Sequence, residues 1–197
     1  MSEAALTAER ILEAAEEVLR RFGPAKASVV DVARALGVSH GSVYRHFASK
    51  AALRDAVAER WLARVSAPLA AVACEDGPAP ERLRRWLTLL IAIKRAKVLD
   101  DPELFATYHA LATEAREVVG AHVDALVGQV AQIIADGVAR SEFAPCDPAI
   151  EGRAVLNATA RFHDPAHAAE WSEPGIDTAC EAVVSLVLRG LGAGTWH

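Results

Sequence analysis

Residues 29–50 read Val-Val-Asp-Val-Ala-Arg-Ala-Leu-Gly-Val-Ser-His-Gly-Ser-Val-Tyr-Arg-His-Phe-Ala-Ser-Lys, and the fold turns on how they are read. Ser28 precedes them as a helix N-cap with Asp31 three residues on, and Val29, Val32, Ala33 and Leu36 recur at helical spacing until Gly37 closes the turn. Ser39 caps a second short helix opening at His40-Gly41-Ser42-Val43-Tyr44-Arg45-His46-Phe47. Ser49 caps a third through Leu53, Val57, Trp61 and Val65, ended by Pro68. Two short helices joined by Gly37-Val38-Ser39, the second opening on small and polar residues, have the layout of a helix-turn-helix. The requirement is physical: glycine permits the tight turn, Ala33 lets the helices approach, and the first residues of the second helix must reach base edges in a major groove.

Charge supports that reading. The chain carries 21 Lys and Arg against 26 Asp and Glu, a net −5 that taken alone argues against a nucleic-acid partner. The segment Arg20–Arg54 nevertheless holds seven basic residues against one acid, Asp31, so it stands at +6 and the remainder at −11. A basic segment on an acidic body suits a protein that meets phosphates at one end; a solvated charged face is the plainer alternative.

Working outward, Ile11, Leu12, Ala15, Val18, Leu19 and Phe22 predict a helix from about Thr7 to Phe22, stopped by Gly23-Pro24. From Ser66 to Pro80 the sequence is small and turn-prone, so a second region begins there. Five further helices follow, over residues 80–99, 102–113, 114–140, 148–162 and 176–189. Asp101-Pro102 and Asp147-Pro148 each place a capping carboxylate before a first-turn proline. No period-2 strand competes, and the expectation is an all-α protein of about nine helices: a helix-turn-helix domain at 1–65 and a larger helical bundle at 66–197. With 52% apolar and 24% charged residues the chain is globular. No uninterrupted apolar run approaches the ~18 residues of a membrane span, and the acidic N-terminus lacks signal-peptide character, so the expected compartment is the cytoplasm with no membrane partner. Cys74, Cys146 and Cys180 fit neither a disulfide framework nor a zinc knuckle.

The string Val32-Ala33, Gly37-Val38-Ser39, Val43-Tyr44-Arg45-His46-Phe47, Ser49-Lys50-Ala51-Ala52-Leu53 resembles the TetR family of transcriptional repressors, whose signature covers most of residues 7–60. The endings Gly137-Val138-Ala139-Arg140-Ser141-Glu142-Phe143 and Leu188-Arg189-Gly190-Leu191 are similar in layout. The resemblance implies a dimeric repressor that binds double-stranded operator DNA through its N-terminal domain and a small-molecule effector in its larger domain. Carried over by position, His40, Gly41 and Ser42 face base edges, with Arg45 a further reader; Tyr44, His46 and Lys50 hold phosphates, and Ser28 and Ser39 cap helices whose N-termini point at the backbone. Val30 departs from the pattern, standing where many relatives carry arginine or another polar residue, and Ser141 stands where glycine is usual.

In the second region the helix through Trp86–Ile93 is apolar nearly all round. Trp86, Leu90, Ile93, Phe105, Tyr108, His109, His122, Leu126, Gln129 and Phe162 combine apolar walls with a few polar groups, as small-molecule sites do, or else form a filled core. His109 and His122 are the sharper candidates, because an imidazole on an apolar face needs a partner. His163 and His167 stand one helical turn apart, but Asp164-Pro165 between them argues for a chain break instead of a metal pair. Ile176, Cys180, Val183, Val184 and Val187 on the last helix are the expected dimer contact, with Ala179, Ala182 and Leu186 on another side. No nucleophile elbow, phosphate loop or paired carboxylates argue for an enzyme, and no cofactor is implied. A DNA binder without an effector is the third reading.

Overall fold

A computed structural model describes residues 5–100 and 102–192. Among them are nine α-helices, two 3-10 helices and no strand. They are α1 (Ala8–Lys26), α2 (Val29–Leu36), α3 (His40–Tyr44), α4 (Lys50–Ala73), α5 (Ala79–Asp100), α6 (Pro102–Glu114), α7 (Arg116–Ala139), α8 (Pro148–Thr159) and α9 (Ile176–Gly192), with 3-10 turns over Ala160–Phe162 and Pro165–Ser172. The residues divide into two compact units.

The first unit holds the chain up to Leu62 together with Pro102–Gly120. Gly23, at φ +72°, breaks α1 after Phe22 as expected from Gly23-Pro24, and a further turn follows to Lys26. Ile11, Val18 and Leu19 of α1, Val32 and Ala33 of α2, Val43 of α3, and Leu53, Val57 and Trp61 of α4 make one apolar core. Arg60 on α4 ties that helix to α1 through Glu9 at 2.7 Å and Glu16 at 3.2 Å. The boundary drawn at 65/66 from sequence places α6 with the larger region, while by packing α6 lies in the first unit. Tyr108 and Leu111 fill the first core, Tyr108 stacking on Trp61 at 4.9 Å between ring centroids, and Glu114 pairs with Arg54 at 2.8 Å.

The second unit comprises Ala63 to the end of α5 and the chain from Ala121 onward. Pro68 does not end α4. The helix continues to Ala73, because Leu69, Val72 and Ala73 are buried in the second core and their packing outweighs one missing backbone hydrogen bond. The turn-prone stretch accordingly shrinks to 74–78. Around Trp86, Leu87 and Leu90 of α5 pack Leu126, Val130, Ile133 and Ile134 of α7, Val155 and Leu156 of α8, and Val184 and Leu191 of α9. Arg82 brings a charge into this core: its Nη2 donates to Ala73 O at 2.9 Å and to Asp136 Oδ2 at 2.8 Å, joining the end of α4 to α7. Asp147 caps α8 as expected, accepting from Ala149 and Ile150 N–H; Asp101 lies outside the described residues. By length and composition α7 is apolar enough to cross a membrane, a property of its mean hydropathy that a search for uninterrupted apolar runs overlooks; Leu126, Val127, Val130, Ile133, Ile134 and Gly137 turn that apolar side into protein core.

The end of α7 makes opposite demands on two neighbouring positions. Gly137 O accepts from Glu142 N at 2.8 Å and Phe143 N at 3.2 Å, a closure that puts Ser141 at φ +59°, where any residue with a Cβ is strained. That is why glycine suits position 141. A Cβ on Gly137 would instead lie 2.8 Å from Ala79 Cβ and overlap the buried Phe143 ring. Urea unfolding should therefore show Gly137→Ala destabilised by about 1–3 kcal/mol and Ser141→Gly stabilised by up to about 1 kcal/mol; equal stability of both variants with wild type contradicts this account of the helix end.

Candidate functional site

The helix-turn-helix is built by its caps. Ser28 Oγ accepts from Asp31 N–H at 3.2 Å while Asp31 Oδ2 accepts from Ser28 N–H at 3.2 Å and from the Ser28 hydroxyl at 2.5 Å, a closed capping box. That hydroxyl, foremost, holds the Asp31 carboxyl below the usual carboxylate range. Gly37 then turns the chain at φ +69°. Ser39 Oγ accepts from Ser42 N–H at 3.2 Å, starting α3. Ser42 Oγ lies 2.9 Å from Ser39 Oγ and accepts from Arg45 Nη2 at 3.1 Å, so Ser39, Ser42 and Arg45 form a chain along the outer side of α3. Val43 is 0% exposed and Phe47 packs against the same core, as expected of the two residues that hold this helix down. Ser39, His40, Gly41, Tyr44, Arg45, His46 and Lys50 are exposed, while Ser28 and Ser42 are half-buried. Tyr44 is not packed into the core; its ring meets only the edge of His40, centroids 6.4 Å apart. This outer side carries hydroxyls, two imidazoles, a phenol and two cations on a rigid base, a set able to bond phosphate oxygens and base edges together.

Of the ten residues grouped as one candidate pocket, three belong to the first unit and seven to the second. Phe105, Tyr108 and His109 lie in the first unit, Phe105 against its core and stacked on His109 at 5.9 Å. In the second unit, Trp86 Nε1 donates to Gln129 Oε1 at 3.0 Å and Gln129 Nε2 to Ser66 O at 3.2 Å, so these polar atoms satisfy one another. Leu90, Ile93 and Leu126 join the main core, and Phe162 sits with Ile91 and Ile176. His122 Nε2 is fully covered and bonds nothing, and burial pushes that imidazole down to about 4. His163 Nε2 lies 3.2 Å from Thr159 Oγ1 and its imidazole is likewise pushed down by burial to about 4, whereas His167 Nδ1 meets Glu170 at 2.7 Å. Asp164 caps a new 3-10 turn at Pro165, the chain break read from sequence, and the two imidazoles serve different partners.

The five residues expected at a dimer contact all lie on α9. Ile176 and Val184 are buried within the protomer, and Cys180, Val183 and Val187 pack on the same clusters, because this stripe is the face α9 turns toward α5 and α8. The outward apolar residues are Leu186 on α9 and Ile150 on α8, 61% and 66% exposed, beside a groove lined by Ala154, Ala158 and Gly190.

Residues 11–57 match the family described as bacterial regulatory proteins of the tetR family, and residues 79–184 match the tetracyclin repressor-like C-terminal domain. The chain belongs to the TetR family. An HTH-type transcriptional regulator of Mycobacterium tuberculosis is 32% identical to it over 103 residues, 52% of this chain and 49% of that protein, so the chain spans about half the length of the curated relatives it matches. Among solved structures, the TetR-family regulator PfmR of Thermus thermophilus is 27% identical with a TM-score of 0.54, covering 98% of this chain and all of that one. The regulator FadR of Bacillus subtilis, solved with stearoyl-CoA, shares the fold at 17% identity and a TM-score of 0.62 over 93% of this chain and 99% of its own. Within the TetR pattern Val30 remains a departure: it is an exposed valine on α2 and offers no hydrogen bond.

Sequence reasoning missed Lys94, a buried cation on α5. The signal was available: Lys94 continues the spacing of Leu87, Leu90 and Ile91 and so falls on the buried face.

The two half-buried imidazoles make stability depend on pH. Their folded values lie below the ordinary 6.5, so between about 6.5 and 4 the unfolded chain binds more protons, and stability falls as the pH is lowered through that window. Each should account for roughly 1–3 kcal/mol. Urea unfolding at either end of the window should show a smaller loss in His122→Asn and His163→Asn than in wild type; the same loss in all three contradicts neutral burial.

Proposed function

We propose that this chain is a homodimeric transcriptional repressor that reads double-stranded operator DNA through α3 and is released when a small-molecule effector binds its second unit. The observation that carries the reading is the division of labour on α3, where Val43 and Phe47 face the core and His40, Gly41, Tyr44, Arg45 and His46 face outward on the basic segment. His40, Gly41 and Ser42, with Arg45, are assigned to base edges; Tyr44, His46 and Lys50 to phosphates; Ser28 and Ser39 to holding helix starts toward the backbone.

A recognition helix of five residues touches few base pairs, so specificity requires two copies, with half-sites about 34–36 Å apart. The two-fold contact is assigned to the outward faces of α8 and α9 around Ile150, Ala154, Ala158 and Leu186, together with Val187 of the expected stripe. An effector acts by favouring a state in which the spacing of the two helices is wrong, and moving a 99:1 population to 1:99 requires about 5.5 kcal/mol of differential affinity. Helix α4 links the two roles, since it starts one turn past α3 and its last residues belong to the second core. That FadR has been solved with stearoyl-CoA supports ligand binding by a protein of this fold.

The test uses DNA enriched from a random pool by the purified protein. Anisotropy titrations should show affinity falling steeply with salt, and Lys50→Ala should lower the slope of log K against log salt by about one. Ile150→Glu with Leu186→Glu should yield a folded monomer by light scattering with strongly reduced affinity for the same DNA. Enrichment of no sequence, or a double variant that stays dimeric, overturns the proposal.

A further inference from the structure

Lys94 occupies a position where a lysine has no ordinary reason to be. The residue is 7% exposed, its ammonium makes no hydrogen bond to any described residue, and Nζ keeps a narrow contact with solvent. The charges it feels are Asp164 and Lys97, together with the imidazoles of His122 and His163. Asp164 does not neutralise it by contact: that carboxylate is exposed and Oδ1 is occupied in capping the Ala166 N–H. The His122 ring, whose charged form the Lys94 ammonium disfavours, carries a covered Nε2 with no partner among the described residues. Thr159 gives its own hydroxyl hydrogen to Val155 O at 2.8 Å, so His163 Nε2 is the donor in their 3.2 Å contact. Leu90 and Ile91 lie one turn back on α5, Leu126 one turn on from His122, and Phe162 adjoins His163. Covered polar groups in folded proteins are satisfied as a rule, so the His122 Nε2 and a lysine stem sunk among apolar residues with no protein acceptor at its tip both stand out.

We infer that Lys94, flanked by His122, is the anchor for the anionic head of a small organic acid whose apolar body lies against Leu90, Leu126 and Phe162. This deepens the effector reading above and rests on it. One buried ammonium beside two imidazoles suits a single carboxylate better than a multiply charged phosphate, because Lys97, the other cation acting on Lys94, is already engaged elsewhere. At neutral pH both imidazoles are uncharged and Lys94, which burial pulls down to about 8, still carries its proton. An anion therefore meets one cation and imidazole hydrogen-bonding groups, whereas an uncharged ligand of the same shape leaves the ammonium unpaired.

The experiment pairs each acid with its own neutral amide, from butanoate to dodecanoate together with phenylacetate and benzoate. Binding is followed by thermal shift and calorimetry, and release from DNA by anisotropy, for wild type and Lys94→Met. Acids of fitting length should stabilise wild type at least roughly tenfold more tightly than their amides, and Lys94→Met should bind the same acid roughly thirtyfold more weakly. Without any ligand, Lys94→Met should melt at or above the wild-type temperature, since an unpaired buried charge is removed. A lower melting temperature of that unliganded variant marks Lys94 as structural and overturns the inference, as does a wild-type protein that no acid stabilises. Amides acting as well as acids overturn the anion site but leave an effector standing. Acids that bind through Lys94 without releasing DNA count against release by an effector and leave the anion site standing.

Discussion

The burial of Val43 is the constraint on which the rest depends. A five-residue helix has no stability of its own, since isolated helices shorter than about 12–15 residues are marginal in water. α3 exists because Ser39 starts it, Gly37 aims it, and Val43 and Phe47 fasten its inner side to a core that α1, α2, α4 and α6 complete. Once the inner side is fixed, the outer side is free of structural duty. Its residues are small, polar or cationic because nothing in the protomer requires them to be otherwise.

The second unit is organised by the same economy with a different result. Its core packs around Trp86, whose indole N–H is answered by Gln129, and the Nη2 of the buried Arg82 is answered by Asp136 and the Ala73 carbonyl. Groups that are answered in this way hold helices together. The Nε2 of His122 is covered without a partner among the described residues, and Lys94 makes no hydrogen bond to any of them; on these two groups the proposed anion site rests.

Signals that act within a few residues were legible. The Ser28–Asp31 capping box, the left-handed Gly37, the Ser39 and Ser49 caps and the Asp147-Pro148 start all stand where the sequence placed them, because a cap and its partner are separated by one turn. What escaped was long-range. Pro68 read as a stop, since only the burial of Leu69 and Val72 shows that α4 is worth continuing. Phe105 and Tyr108 read as pocket walls, since nothing local indicates that α6 completes the first core beside Trp61. An apolar stripe such as Ile176–Val187 says that a face is buried and leaves open whether its cover comes from the same protomer or another. Lys94 needed only its helical register, but a stripe of leucines drew attention to its apolar members and away from the exception.

Hydroxyl-radical footprinting of the protein on its selected DNA tests the central claim most directly. If α3 is the reading element in two symmetric copies, two protected patches should appear about one helical turn apart on one face of the duplex, and replacing Tyr44 and Lys50 with Ala should weaken both together. A single patch, or full protection retained by that variant, contradicts the account.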